Sequence, residues 1–265
     1  MNFLQVAGDI PSLQPPVLFH IGSWPITSSL MLIWLILLLT IVVVRVLFKI
    51  LSLRPGIYQN IFEVLYESML KLVDQITSSR KISEKIFPLI ATLFLFIGVS
   101  NLITLIPGLT SLTYNGKEIF RSPTTDFNTT FALALAMLIL IQVQSIRDWG
   151  IFGYIGRFIQ IKPLILSFKQ GLGAGLTAFI NFLIGFLDIV SEIAKVVSLS
   201  MRLFGNIFAG EVLTVIIMAG LAYALPAVWM AMGILTGVVQ ALVFGSLVAA
   251  YYTISLNPGK QAAGN

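Results

Sequence analysis

The sequence predicts an all-α, polytopic membrane protein, and three observations predict it. Of the 265 residues, 57% are hydrophobic and 10% charged, for a mean hydropathy of +0.97, whereas soluble domains carry about 25% charged residues. Several apolar runs reach the roughly 20 residues needed to cross about 30 Å of hydrocarbon. No stretch between those runs has room for a folded soluble domain. The chain 1–265 therefore reads as a single membrane domain, with three ordinary transmembrane helices, an amphipathic interfacial helix and a long tilted two-helix hairpin.

Residues 1–25 form an N-terminal segment without Lys or Arg and with Asp9, so the basic n-region of a signal peptide is missing. The single histidine, His20, lies here and reads as a surface residue. The first span is expected over 26–50, with Arg45 and Lys49 near its end, where long stems snorkel to the headgroups. Pro55–Gly56 then breaks the helix. Over 57–80, Ile57, Ile61, Val64, Leu65, Leu72, Val73 and Ile76 follow helical spacing, while Glu63, Glu67, Lys71 and Asp74 take the other face. Such a helix lies on a membrane surface or packs on a partner. The second span is expected over 87–107, with Asn101 inside it. A polar loop follows to Asp126, with a turn at Asn115–Gly116. The third span is expected over 127–146 and contains Gln142, Gln144 and Ser145 near its end.

The last third is apolar over 172–224 and again over 226–255. As helices these stretches measure roughly 75 Å and 45 Å, both longer than a bilayer core is thick. The first either breaks into two spans or lies strongly tilted, and Gly171–Gly175 is a natural place to bend. Lys and Arg set the orientation. There are none before the first span, seven over 45–87 (Arg45, Lys49, Arg54, Lys71, Arg80, Lys81, Lys85) and four over 147–171 (Arg147, Arg157, Lys162, Lys169). The positive-inside rule places the N-terminus outside and both basic regions inside, and Lys260 places the C-terminus inside. The net charge of +5 is spread between apolar runs and not gathered on one face, which argues against nucleic acid as a partner. With no cysteine, disulfides and thiolate chemistry are excluded.

The chemistry is concentrated in 172–224. Ionisable groups in a span cost at least about 2.5–3.5 kcal/mol each on insertion scales, and this stretch holds Asp188, Glu192, Lys195, Arg202 and Glu211, with Asn206 as a further polar group. At about 100° per residue, Asp188, Glu192, Lys195, Arg202 and Asn206 share one narrow face, with Glu211 nearly opposite. A polar stripe on an apolar helix must face water, protein or both. Internal ion pairs, such as Lys195 with Glu192 or Asp188, account for part of it. Arg202 has no acid at i±3 or i±4, so its partner must come from another element or another chain. Arginine keeps its proton under all ordinary conditions, so it can hold a nearby carboxylate ionised and repel passing cations.

The run Val197–Leu213, with its core R-L-F-G-N-x-x-A-G-E, closely resembles the signature of the a subunits of F-type ATP synthases. Weaker matches are Pro55–Gly56 with Gln59 and Glu63, Asn101–Pro107, Asp126–Asn128 and Gln240. The resemblance implies a proton-translocating stator subunit without a catalytic site or cofactor of its own. Its partners would be the c-ring proteolipids, the peripheral-stalk subunit b, the other ATP synthase subunits and membrane lipid. It implies that Arg202 is the essential cation facing the ring carboxylate, between two offset aqueous half-channels. Glu211, Asn206 and Gln240 match polar positions near that arginine, and Asp188, Ser191 and Glu192 resemble the inside-facing access path. Many relatives carry histidine where this chain has Gly233, so water or a polar group elsewhere must serve Glu211. A bacterial inner membrane is expected, with the mitochondrial inner membrane as the alternative.

If the last two helices turn near Leu221, Arg202 lies opposite Gln240 and Glu211 opposite Gly233. Gly233, Gly237, Ala241, Gly245 and Ala249 form a smooth ridge at every fourth residue, as in small-residue packing between spans. Gly205 and Gly210 have the glycine spacing of a P-loop, but Glu211 stands where the lysine belongs, so no nucleotide site is indicated.

Overall fold

Long apolar runs become helices because lipid offers the backbone no hydrogen-bond partners. The structure, a computed structural model, describes residues 12, 14–50, 56–106, 109, 112–114, 116–158, 172–220 and 225–256. The helices are α1 (Ser28–Ile50), α2 (Ile57–Thr77), α3 (Arg80–Ile103), α4 (Phe127–Phe158), α5 (Leu172–Gly220) and α6 (Leu225–Leu256). Among the described residues, four are long and apolar enough to cross a membrane, over Ser28–Lys49, Arg80–Ile103, Phe127–Ile151 and Val228–Leu256. The chain is thus an all-α polytopic membrane protein. The break at Pro55, the turn residue Asn115, the bend at Gly171, the turn near Leu221, Pro107, Asp9, Arg54, Lys162, Lys169 and Lys260 lie outside the described residues.

Several helix ends differ from the apolarity-based expectation. The second span starts at Arg80 because its charged first turn is held by ion pairs, Arg80 to Asp74 at 2.6 Å and to Glu84 at 2.8 Å. It ends at Ile103 in a turn carried by Leu105 and Ile106 amides. The helix α4 runs past Ile146, because Gln144 donates to the Asp148 carboxylate one turn on, and kinks at Gly150 (φ 72, ψ 160). Two small β-hairpins were not foreseen. In the first, β1 (Val17–Ile21) pairs with β2 (Trp24–Thr27) through a Gly22–Ser23 loop. Gly22 supplies the positive φ of 64° that a two-residue hairpin loop favours. His20 is exposed on β1. The second pairs β3 (Thr113–Tyr114) with β4 (Lys117–Glu118), and Lys117 donates to the Val17 carbonyl at 2.8 Å.

The chain divides into two compact units, Met1–Thr130 with Met201–Ala250, and Phe131–Ser200 with Tyr251–Asn265. In the first, α2 packs on α3 through buried Met69, Leu70 and Val73 and an edge-to-face contact of Tyr66 with Phe87 at 4.6 Å. A left-handed Ser78 (φ 53) turns the chain between them, and Thr77 and Ser83 share a buried hydroxyl bond of 2.6 Å. The N-terminal half of α2 leaves Ile57, Tyr58, Ile61 and Val64 exposed, and there Gln59 donates to Glu63 at 2.8 Å. The small-residue ridge of α6 packs against α3. A Cβ placed on Gly237 would lie 3.0 Å from Asn101 Cβ, one on Gly245 3.2 Å from Ile90, and one on Gly233 3.1 Å from Leu105. The core between these helices is Ile90, Leu93, Ile97, Phe244 and Val248.

In the second unit, Ala134, Met137, Ile141, Val196, Leu199 and Tyr252 are buried. Ser145 of α4 donates to the Ser255 carbonyl at 3.2 Å.

The Gly237 contact is against a Cβ, which cannot rotate away. Gly237→Val should therefore destabilise the protein by about 1–3 kcal/mol through overpacking. Gly98→Ala, whose new methyl would meet Ala241 Cβ at an ordinary 3.8 Å, should be close to neutral. Thermal unfolding of the detergent-solubilised protein compares the two.

Candidate functional site

In the first unit, α5 turns one side to the interior and one side out. Leu203 is fully buried, and Phe204 stacks on Phe208 at 5.2 Å and meets Phe127 edge-on at 5.8 Å. These contacts fix the helix's rotation. Met201, Arg202, Asn206, Ala209, Leu213 and Ile216 are then exposed, a stripe at helical spacing. Arg202 makes no hydrogen bond or ion pair among the described residues. Asn206 Nδ2 donates to Gln240 Oε1 at 2.8 Å. Gln240 is 4% exposed, and its own Nε2 is buried without a partner. The bond to Gln240 thus comes from Asn206, one turn on from Arg202.

Glu211 sits off this stripe and is half-buried. Its Oε2 is buried and unpartnered. Arg121, Glu118 and Thr125 lie within electrostatic reach of the carboxyl. The preceding residue is pinned, because the Gly210 carbonyl accepts from Trp229 Nε1 at 3.3 Å and from Thr214 Oγ1 at 2.8 Å. The missing side chain of Gly233 leaves room that the Leu105 side chain takes up.

A chain of buried polar groups runs beside this region. Thr124, in the short 3-10 turn Pro123–Thr125, donates to Asn101 Oδ1 at 2.7 Å, and Asn101 Nδ2 donates to the Gly237 carbonyl at 3.2 Å. Arg121 is 3% exposed yet bonds to neutral oxygens: the carbonyls of Ser12 at 2.5 Å and Gln14 at 3.2 Å, and Thr125 Oγ1 at 3.4 Å. Asp126 caps α4 by accepting from the Asn128 amide and the Thr129 hydroxyl, both at 3.0 Å.

In the second unit, Asp188 is half-buried and Ser191 exposed. Glu192 is engaged at both oxygens, by Lys195 Nζ at 2.6 Å and Gln142 Nε2 at 2.9 Å. Tyr154 donates to Gln142 Oε1 at 2.8 Å, and the Lys195 ammonium lies 5.3 Å over the Tyr251 ring. The internal pairing weighed for Lys195 is therefore present, with Glu192 as its partner.

Arg121, Thr124, Tyr154 and Trp229 were not singled out by sequence reasoning. Arg121 lies in a polar loop, where a basic residue is unremarked, and the others have partners remote in sequence. Asn101 and Gln142 did carry a signal, as amides inside apolar runs.

These features define a class: an all-α polytopic membrane protein with one long helix, α5, that carries Asp188, Glu192, Lys195, Arg202 and Glu211. A family model described as "ATP synthase A chain" matches residues 29–253. The chain is 33% identical to ATP synthase subunit a of Moorella thermoacetica over 239 residues, covering 90% of this chain and 95% of the relative. It is 30% identical to ATP synthase subunit a of Legionella pneumophila over 234 residues (88% of each) and 28% identical to ATP synthase subunit a 1 of Crocosphaera subtropica over 242 residues (91% of each). The chain belongs to the ATP synthase A chain family. Membership makes it a membrane subunit of ATP synthase and not a catalytic one.

The Thr124–Asn101 bond has both partners buried. Thr124→Val should strand the Asn101 carbonyl oxygen and cost about 1–3 kcal/mol of stability, with Thr124→Ser losing less because it keeps the donor. Denaturation midpoints of the purified complex measure the difference.

Proposed function

We propose that this chain is the proton-translocating stator subunit a of an F-type ATP synthase, coupling ion flow to rotation of a c-ring and so to ATP synthesis. Arg202 is the cation that faces the ring carboxylate. Asn206, Gln240 and Glu211 serve the proton path near it, and Asp188, Ser191 and Glu192 line the inside-facing access. Two aqueous half-channels reach the ring from opposite sides. The observation that carries this reading is the exposure of Arg202 on an apolar helix, without an acid bonded to it among the described residues. A guanidinium so placed needs an anion from outside the chain.

The mechanism follows from charge. A protonated ring carboxylate is neutral and can pass through lipid. Brought opposite Arg202, it gains most from the cation when ionised, so its proton leaves to water on one side. The ionised group cannot re-enter lipid and must first take a proton from the other side. The cation in between repels protons and closes the direct leak. Gly205 and Ala209 keep the surface around Arg202 low, which suits close approach of a neighbouring helix.

The N-terminus lies outside and the C-terminus in the cytoplasm, in a bacterial inner membrane. The named relatives are bacterial. Subunit b of the peripheral stalk is the expected stator partner.

Arg202→Ala should abolish ATP-driven proton pumping in membrane vesicles, by about 100-fold or more, while the complex still assembles. Quenching of a pH-sensitive dye reads pumping, and co-purification of the ring subunits reads assembly. Normal pumping by an assembled Arg202→Ala complex overturns the assignment.

A further inference from the structure

The acids of α5 in the second unit are treated very differently by their surroundings. Glu192 has both oxygens occupied, by the Lys195 ammonium at 2.6 Å and the Gln142 amide nitrogen at 2.9 Å. Neither donor can accept a proton near neutral pH. The Gln142 amide is held in one orientation, since its oxygen accepts from the Tyr154 hydroxyl at 2.8 Å while its nitrogen serves Glu192. Lys195 is held in turn over the Tyr251 ring at 5.3 Å, a cation–π distance. The Glu192 and Lys195 side chains are only 14% and 20% exposed. Asp188, one turn earlier on the same face, is half-buried and has no hydrogen bond or ion pair among the described residues.

A group that carries protons must alternate between donating and accepting, with a partner or water able to do the reverse. Among the described residues, the hydrogen-bond partners of Glu192 are both donors. We propose that Glu192 is a positioning residue rather than a proton carrier, clamped by Lys195, Gln142 and Tyr154, and that Asp188 is the acid of this stretch that exchanges protons. The clamp joins α4 to α5 through long polar side chains and sets the face on which Asp188 is presented. Gln142 and Tyr154 thereby join the residues on which the inside-facing access depends. This rests on the stator reading given above and deepens it.

The test uses the whole ATP synthase in membrane vesicles, reading ATP-driven pumping and, after removal of the catalytic sector, passive proton conduction. Lys195→Met leaves Glu192 as an unpaired buried anion and should lower both activities about tenfold or more. Lys195→Arg should restore them to within about threefold, as it keeps the charge. The Lys195→Met/Glu192→Gln double variant should outperform Lys195→Met alone, because coupled partners are non-additive. Glu192→Gln alone should slow conduction by about threefold at most, whereas Asp188→Asn should slow it about tenfold or more. If Lys195→Met prevents assembly, recovery of assembly in the double variant gives the same answer. The proposal is overturned if Glu192→Gln abolishes passive conduction, if Asp188→Asn conducts normally, or if the double variant is no better than Lys195→Met. An Arg202→Ala complex run alongside separates this outcome from failure of the stator reading, which that control alone tests.

Discussion

Lipid cannot solvate a guanidinium, and a guanidinium cannot discard its proton. That constraint governs the first unit. Arg202 has to be carried on a helix that can neither rotate it inward nor hide it. The Phe204–Phe208–Phe127 cluster and the buried Leu203 fix the rotation of α5, so the arginine stays on the exposed stripe with Asn206 and Ala209. The Asn206–Gln240 bond ties that stripe to α6. The helix α6 is in turn held to α3 by glycines that bring the backbones close, and by Asn101, which reaches the Gly237 carbonyl. Each contact is ordinary membrane packing. Together they leave Arg202 exposed, without a bonded partner among the described residues.

The other charges show what the chain does when a charge is to be silenced. Arg121 is more deeply buried than Arg202, but carbonyls and hydroxyls surround it. Lys195 has a carboxylate and an aromatic ring. The chain thus has the means to satisfy a buried cation and applies them elsewhere. Arg202, by contrast, has no bonded partner among the described residues, which leaves it open to the anion that the proposed function calls for.

Much of the fold was legible because lipid imposes a single demand on composition. Apolar runs gave the helices, and the glycine spacing on α6 gave a contact ridge. Helix ends were less legible, since a helix can continue beyond lipid wherever side chains sustain it, as Arg80 does with Asp74 and Glu84, and Gln144 with Asp148. The N-terminal hairpin had only a short local signal, Gly22–Ser23 between Ile21 and Trp24, and a two-residue turn of this kind is weak evidence by itself. In the site, Arg202 and Asn206 were readable from one contiguous motif. The partners of Glu192 were only half readable. Lys195 is three residues away on the same helix, whereas Gln142 reaches it from another helix, and no local spacing announces such a meeting.

Glu211 poses the remaining physical question. Its Oε2 is buried and unpartnered, and burying a carboxyl oxygen without a hydrogen bond is costly. At Gly233 the space is taken by the Leu105 side chain. Trp229 is spent on the Gly210 carbonyl and has no second donor to offer. Among the polar groups near the carboxyl, Arg121 already bonds to Ser12, Gln14 and Thr125, and Thr125 donates to the Ser122 carbonyl. Glu211 Oε2 is thus left without a hydrogen-bond partner among the described residues. A carboxyl oxygen left open in this way is free to exchange a proton, as a proton-carrying group must. What would be a defect in a structural residue therefore suits the role proposed for this one.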